Sequence, residues 1–142
     1  MTRTRVRIRG DTTEGMGGEI LSSMRGDADR AVDQVTDALE REIKSKLRET
    51  GQGAEAAEGE PPAIRSGDLI RSVRREPLRT TAGLHGYTVR SAVIVDDPGA
   101  ARVEFGGRDA RGIVTVPHPF YLPAVKVVTA KARAIFERVG RR

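Results

Sequence analysis

Few residues in this chain are of the types that carry out covalent chemistry. There are two histidines, His85 and His118, and no cysteine. Thiolate nucleophiles, disulfide frameworks and cysteine-ligated zinc are thereby excluded. Ser66, Ser72 and Ser91 could each be set against His118 on paper, but none stands in the Gly-x-Ser-x-Gly turn that exposes a hydrolase nucleophile. His118 lies between Pro117 and Pro119 and reads as a packing or turn residue. Asp96-Asp97 has neither an EF-hand loop nor a histidine partner and reads as a solvated turn. Glu104 is the one carboxylate inside an apolar cluster. A single acid does not make a glycosidase pair, so an arginine partner is expected for it, within the chain or across an interface. Gly10 and Gly15 have P-loop spacing, but Met16 and Gly17 stand where lysine and a hydroxyl residue must follow. We therefore expect no enzymatic activity and no catalytic, metal or cofactor site.

The remaining chemistry is charge. Net charge is +5, and 21 of the 25 basic residues are arginine. Residues 1–9 hold four arginines and no acid, residues 10–63 hold thirteen acids against six bases, and residues 64–142 hold fifteen bases against seven acids. Such asymmetry suits either a basic surface facing nucleic acid or complementary faces between subunits. Arg3, Arg5, Arg7 and Arg9 alternate with Thr2, Thr4, Val6 and Ile8, which is the pattern of a half-buried strand with one cationic face. That row could neutralise phosphates without reading sequence, or it could be a solvated or inter-subunit face. No interleaved aromatic platform for single strands accompanies it.

Longer elements must position these groups. Ile20, Leu21, Met24, Ala28, Val32, Val35, Leu39, Ile43 and Leu47 recur at steps of one face of a helix over residues 19–49, with Gly26-Asp27 as a possible break. Glu40–Lys44 and Glu42–Lys46 have pairing spacing on the opposite face. Residues 11–18 read as a glycine-rich linker, and residues 51–63 as a flexible low-complexity loop with little to bury. Ser66 is expected to cap a short helix with Leu69, Ile70 and Val73 on its apolar face, closed by Pro77. A strand follows over 84–95, with Tyr87, Val89, Ser91, Val93 and Val95 on one face, then a turn at 96–99. Gly106-Gly107 is expected to need positive φ or close backbone approach. Ile113–Val116 reads as a short strand. Pro117, Pro119 and Pro123 lead into a terminal helix whose stripe is Val125, Val128, Ala132, Ile135, Phe136 and Val139. The expected fold class is α+β: one domain over residues 1–142, with a small, mainly antiparallel sheet packed against a long N-terminal helix and a C-terminal helix. All five aromatics, Tyr87, Phe105, Phe120, Tyr121 and Phe136, fall after residue 86, which places the densest core in the C-terminal half. No stretch has the length of a membrane span, and the N-terminus lacks the apolar core of a signal peptide.

In order, these pieces resemble the tail-completion or head–tail joining (neck) proteins of long-tailed bacteriophages. The resemblance spans nearly the whole chain. It rests on the basic strand and long helix, on Arg65-Ser66-Gly67-Asp68-Leu69-Ile70-Arg71-Ser72, and on the valine-rich strand from Val89 to Val95. Two further motifs carry it: Val103-Glu104-Phe105-Gly106, with Gly107 where the family has threonine, and Pro119-Phe120-Tyr121-Leu122-Pro123-Ala124 before the last helix. The loop at 51–63 is longer than the family's usual link, and Asp97-Pro98-Gly99 departs from its pattern.

The resemblance implies a homo-oligomeric ring, six-fold in expectation, between the capsid connector and the tail tube. It implies a structural virion protein with neither catalytic site nor cofactor, in contact with other neck and tail proteins and found in the host cytoplasm during assembly. Glu104, Phe105, Gly106, Gly107, Phe120, Tyr121 and Pro123 are the expected subunit-interface residues. Arg3, Arg5, Arg7 and Arg9 are the expected face toward packaged DNA. The rival reading is a small basic protein that binds DNA without sequence preference.

Overall fold

The computed structural model describes residues 4–11, 18–50, 57–59, 62, 67–83 and 86–141, with side chains described at 25–50, 57–59, 62, 67–81 and 88–141. Its elements run β1 (Thr4–Asp11), α1 (Gly18–Glu49), α2 (Asp68–Ser72), β2 (Val73–Arg75), β3 (Arg79–Gly83), β4 (Gly86–Val95), α3 (Ala100–Phe105), β5 (Gly107–Arg108), β6 (Val114–Thr115) and α4 (Tyr121–Gly140). The fold is α+β. Helix α1 packs against α4 and against one face of an antiparallel sheet.

Strand β4 is the centre of that sheet. β1 runs along the whole of one edge, from Thr4 opposite Val95 to Asp11 opposite Thr88. The other edge is shared: β2 pairs with Val93–Val95 and β3 with Gly86–Arg90. Between them the Glu76 N–H donates to the Ala92 carbonyl at 2.8 Å, and the Ser91 hydroxyl donates to the Glu76 carbonyl at 3.1 Å. These bonds hold the step at Pro77 against the central strand. β2 and β3 are not anticipated from the sequence, because Val-Arg-Arg and Arg-Thr-Thr-Ala-Gly are too short and too polar to show an alternation of apolar residues. Val73, expected on the short helix, instead opens β2 and is 3% exposed.

Helix α1 runs unbroken through Gly26-Asp27. At 32 residues it is about 48 Å long at 1.5 Å per residue. Ala31, Val32, Val35, Leu39, Ile43 and Leu47 form its buried stripe. Thr36 is buried in the same stripe and satisfies its hydroxyl on the Val32 carbonyl at 2.7 Å. The side chains of Ile20, Leu21 and Met24 lie outside the described set. On the outer face Lys44 pairs with Glu40 at 2.6 Å as expected, whereas Lys46 pairs with Glu49 rather than Glu42. The stripe meets Val73, Val93 and Val95 of the sheet and Phe120, Tyr121, Ala124 and Val128 of α4 in one cluster. A satellite cluster joins Val32, Val89, Leu78 and Phe136. Both long helices therefore lie over the odd-numbered face of β4.

Residues expected only as a lead-in to Gly106 form a helix of their own, α3. Its start comes from Asp97, whose Oδ1 accepts the Gly99 N–H at 2.7 Å and whose carbonyl accepts the Ala100 N–H at 3.1 Å. The neighbouring Asp96 is paired with Arg74 at 3.0 Å. Helix α2 has Gly67 at its N-cap with φ 74° and no side-chain cap, while the expected cap Ser66 lies outside the described residues. Most of the loop 51–63 and of the linker 11–18 also lies outside them. Gly59 is one described point of that loop, and its N–H reaches the Pro117 carbonyl at 3.1 Å.

Candidate functional site

The two motifs that flank β5 and β6 meet in space, and Glu104 joins them. Its carboxylate is 5% exposed and accepts three backbone bonds at the start of α4: from the Phe120 N–H at 2.8 Å, the Tyr121 N–H at 2.9 Å and the Leu122 N–H at 2.9 Å. A helix start leaves its first N–H groups without intrahelical partners. Here the fourth of these groups is absent, because position 123 is proline. Upstream, Pro117 and Pro119 carry no N–H, and the His118 N–H donates to the Val103 carbonyl at 2.7 Å. Every main-chain donor from 117 to 123 is thus either satisfied or missing. The spacing of prolines and the lone glutamate form one device. A buried anion from α3 caps α4 from a distance, with the helix dipole favouring the same sign. The arginine partner expected for Glu104 is replaced by main-chain amides.

Gly106 makes that approach possible. It has φ 70°, and a Cβ there would fall 2.7 Å from the Thr115 carbonyl oxygen and 3.0 Å from the Pro117 nitrogen. Gly107 has φ 136° with open space around it, so conformation alone favours glycine. Both halves of the expectation at this pair, positive φ and close approach, hold at Gly106. From there the chain enters the β5–β6 hairpin, where Gly107 pairs with Thr115 and Arg108 with Val114. Asp109 Oδ1 closes the hairpin by accepting the Arg111 and Ile113 N–H groups, each at 2.9 Å.

Burial divides the expected interface residues. Phe120 is 1% exposed and Tyr121 is 9% exposed, both inside the chain's own core beside Val35, Leu39 and Val95. Burial pushes the Tyr121 phenol from the usual 10 to about 12, and the Glu104 carboxylate adds to the shift. Pro123 sits in the first turn of α4, half-buried. Phe105 is the outward member, 65% exposed. It is joined by Ile113, Val114, Val116 and Leu122, which sequence reasoning did not single out and which are 43–61% exposed. The usable signal was Ile113-Val114, adjacent apolar residues that a two-sided hairpin cannot both bury. All five belong to the segment from the end of α3 to the first turn of α4, which Glu104, Gly106 and the hairpin hold as one unit.

Two other places offer less. A cleft of about 520 Å³ between α1 and β2 is lined by Asp33, Glu40, Lys44 and Arg75. Its charges satisfy one another, with Arg75 reaching Asp33 at 3.1 Å and Glu40 at 3.8 Å. Among the described residues no three His, Asp or Glu side chains converge as metal ligands would. No helix of the described residues is long and apolar enough to cross a membrane.

Of the expected arginine row, Arg5, Arg7 and Arg9 occupy alternate positions of β1, opposite Ile94, Ala92 and Arg90. Arg3 lies outside the described residues. Comparison of the chain with protein-family models, with curated proteins and with solved structures returned no match.

Proposed function

We propose that this protein is a structural component of a long-tailed phage virion. It assembles as a homo-oligomeric ring, six-fold in expectation, in the neck, where it joins the capsid connector to the tail tube or completes the tail. No catalytic step enters the proposal. The observation that carries it is five exposed apolar side chains, Phe105, Ile113, Val114, Val116 and Leu122, on the segment from the end of α3 through the hairpin to the first turn of α4, which the chain fixes from inside. Contiguous exposed apolar surface rimmed by polar residues is a feature of protein contacts. The ordered motifs from Arg65 to Ala124 support the same reading and supply the phage assignment. In this arrangement Glu104, Phe120, Tyr121 and Pro123 hold the hairpin from inside, while Phe105 and the hairpin face the neighbouring copy. A ring follows when that contact is heterologous and its rotation closes.

Light scattering on the purified protein and on the Val114→Lys variant tests this. The wild type should run as a closed oligomer, and Val114→Lys as a monomer with an unchanged circular dichroism spectrum, because Val114 packs little of its own surface; its melting temperature should fall only by what association contributed. A monomeric wild type at tens of micromolar, or an oligomer indifferent to Val114→Lys and Phe105→Ser, would sink the proposal.

A further inference from the structure

The sheet has a second face, and its register assembles a feature that the sequence pattern showed only in part. Residues directly opposite one another in an antiparallel pair share a face. Helices α1 and α4 cover the face of Val89, Val93 and Val95. The other face is that of Arg90, Ala92 and Ile94; Ala92 and Ile94 are 3% and 2% exposed, and Arg90 is exposed, as are Arg74 and Arg79 on the flanking strands. On it, β1 places Arg5 opposite Ile94, Arg7 opposite Ala92 and Arg9 opposite Arg90. From the far edge, β2 places Arg74 opposite Ile94, and β3 places Arg79 opposite Arg90. Six arginines from four strands therefore occupy one face, where the alternation of β1 alone suggested a single row.

We propose that the arginines of this face form a docking surface for the phosphodiester backbone of duplex nucleic acid, bound without sequence preference. Arg9, Arg90 and Arg79 stand in line across three adjacent strands, and like charges directly opposite are destabilising in a bare sheet. An anion bridging the row reverses the sign of that cost. Guanidinium groups suit the task, because each can grip a phosphate in a bidentate fork. Alternate strand positions lie about 6.6–6.8 Å apart and neighbouring strands about 4.8 Å apart, so the arginine positions form a grid rather than a point. The acids on this face are few. Asp11 ends β1 opposite Thr88, Asp96 is engaged by Arg74 at 3.0 Å, and Glu76 follows β2 at the Ala92 position. Positions 5, 7, 9, 74, 79, 90, 92 and 94 include no aromatic residue, so the face lacks the stacking platform that single strands use.

A second copy of the chain is the competing occupant, and the charge pattern argues against it. Between Arg25 and Glu49, α1 carries seven acids against six bases. Most of those acids are already engaged: Asp27 with Arg30, Asp37 with Arg41, Glu40 with Lys44, Glu49 with Lys46, and Asp33 with Arg75. The helix offers no strong anionic surface for a neighbour's arginine grid. The proposal rests on strand register and does not require the ring.

The test is fluorescence anisotropy of labelled random-sequence duplex DNA with the full chain, across a salt series. If all six arginines engage phosphates, affinity should fall about 10³-fold between about 50 and about 200 mM salt, equally for unrelated sequences. Arg74→Gln/Arg79→Gln/Arg90→Gln should flatten the log–log salt slope by about 2.7, at roughly 0.9 for each phosphate no longer neutralised. A control, Arg102→Gln/Arg111→Gln/Arg133→Gln, removes equal charge from exposed positions elsewhere and should leave the slope nearly unchanged. Circular dichroism of each variant checks folding, and Arg79→Gln alone, on an edge strand, serves if the triple variant does not fold. The proposal is overturned by no duplex binding at low salt, by equal losses in the two triple variants, or by tighter binding to single strands. A change in mass on light scattering with no change in DNA binding would also overturn it, by assigning the face to a second copy. The hairpin variant Val114→Lys separates the two ideas, since it should abolish the ring while keeping the salt slope per chain.

Discussion

At the scale of single residues, Glu104 is the side chain on which the local architecture depends. It is buried, it is anionic, and its partners are three amides that would otherwise lie unsatisfied at the head of α4. Replacing a side-chain cap costs about 0.5–2 kcal/mol at an ordinary helix start, and leaving buried donors unpaired costs about 1–3 kcal/mol more. Glu104→Ala should therefore destabilise the fold by about 3 kcal/mol, measured by urea titration, and Glu104→Gln by less. A loss under about 0.5 kcal/mol for Glu104→Ala would mean that the cap contributes little. Tyr121 reports on the same place. Its phenol is neutral in the fold up to about 12, against 10 when unfolded. Between these values the unfolded chain releases its proton first, so stability attributable to Tyr121 is intact below pH 10 and declines as pH rises toward 12. The chain has no tryptophan, so absorbance near 295 nm follows its tyrosines directly. Comparison with Tyr121→Phe should isolate one late-titrating phenol, and Glu104→Gln should move it earlier by removing the neighbouring charge. A Tyr121 that titrates at 10 would contradict its burial.

At the scale of elements, what was legible follows from length. β1, β4, α1 and α4 each hold several periods of alternation or of three-and-four spacing, and each forms near where the pattern placed it, although β1 runs on through Gly10 to Asp11 where the alternation stops at Arg9. β2, β3 and α3 hold three to six residues, under two helical turns or two to three strand positions on a face, and their positions depend on tertiary partners: β2 and β3 on the free edge of β4, and α3 on the Asp97 turn. The Glu104 cap spans sixteen to eighteen residues of sequence and has no periodic signature. The motifs it ties together were visible, but the bond between them was not. Gly26 is the place where a local signal failed. Glycine followed by a capping residue suggests a helix boundary, yet tertiary packing of the stripe from Ala31 to Leu47 carries the helix through it. Nothing lies within 4 Å of where a Gly26 Cβ would stand. Gly26→Ala should therefore stabilise the protein by about 0.5–1 kcal/mol through helix propensity alone. Thermal unfolding measures this, and a destabilised variant would show that Gly26 is a real hinge.

At the scale of the whole molecule, three surfaces have different characters. One sheet face is covered by α1 and α4, the other holds six arginine positions on four strands, and the α3–α4 junction carries a hairpin with exposed apolar side chains. The first explains stability. The second accounts for the basic balance of a chain whose longest helix is nearly charge-neutral from Arg25 onward. The third is where the proposed contact between identical copies would form. Phe120 and Tyr121 are taken up by the chain's own core, so the proposed contact falls to Phe105 and the hairpin. The most direct measurement is the mass of the purified native protein by light scattering at micromolar concentration, with Val114→Lys beside it. A defined multiple of 15.4 kDa that collapses to a single chain in the variant is the predicted result. A wild-type particle of one chain's mass under the same conditions would contradict the account.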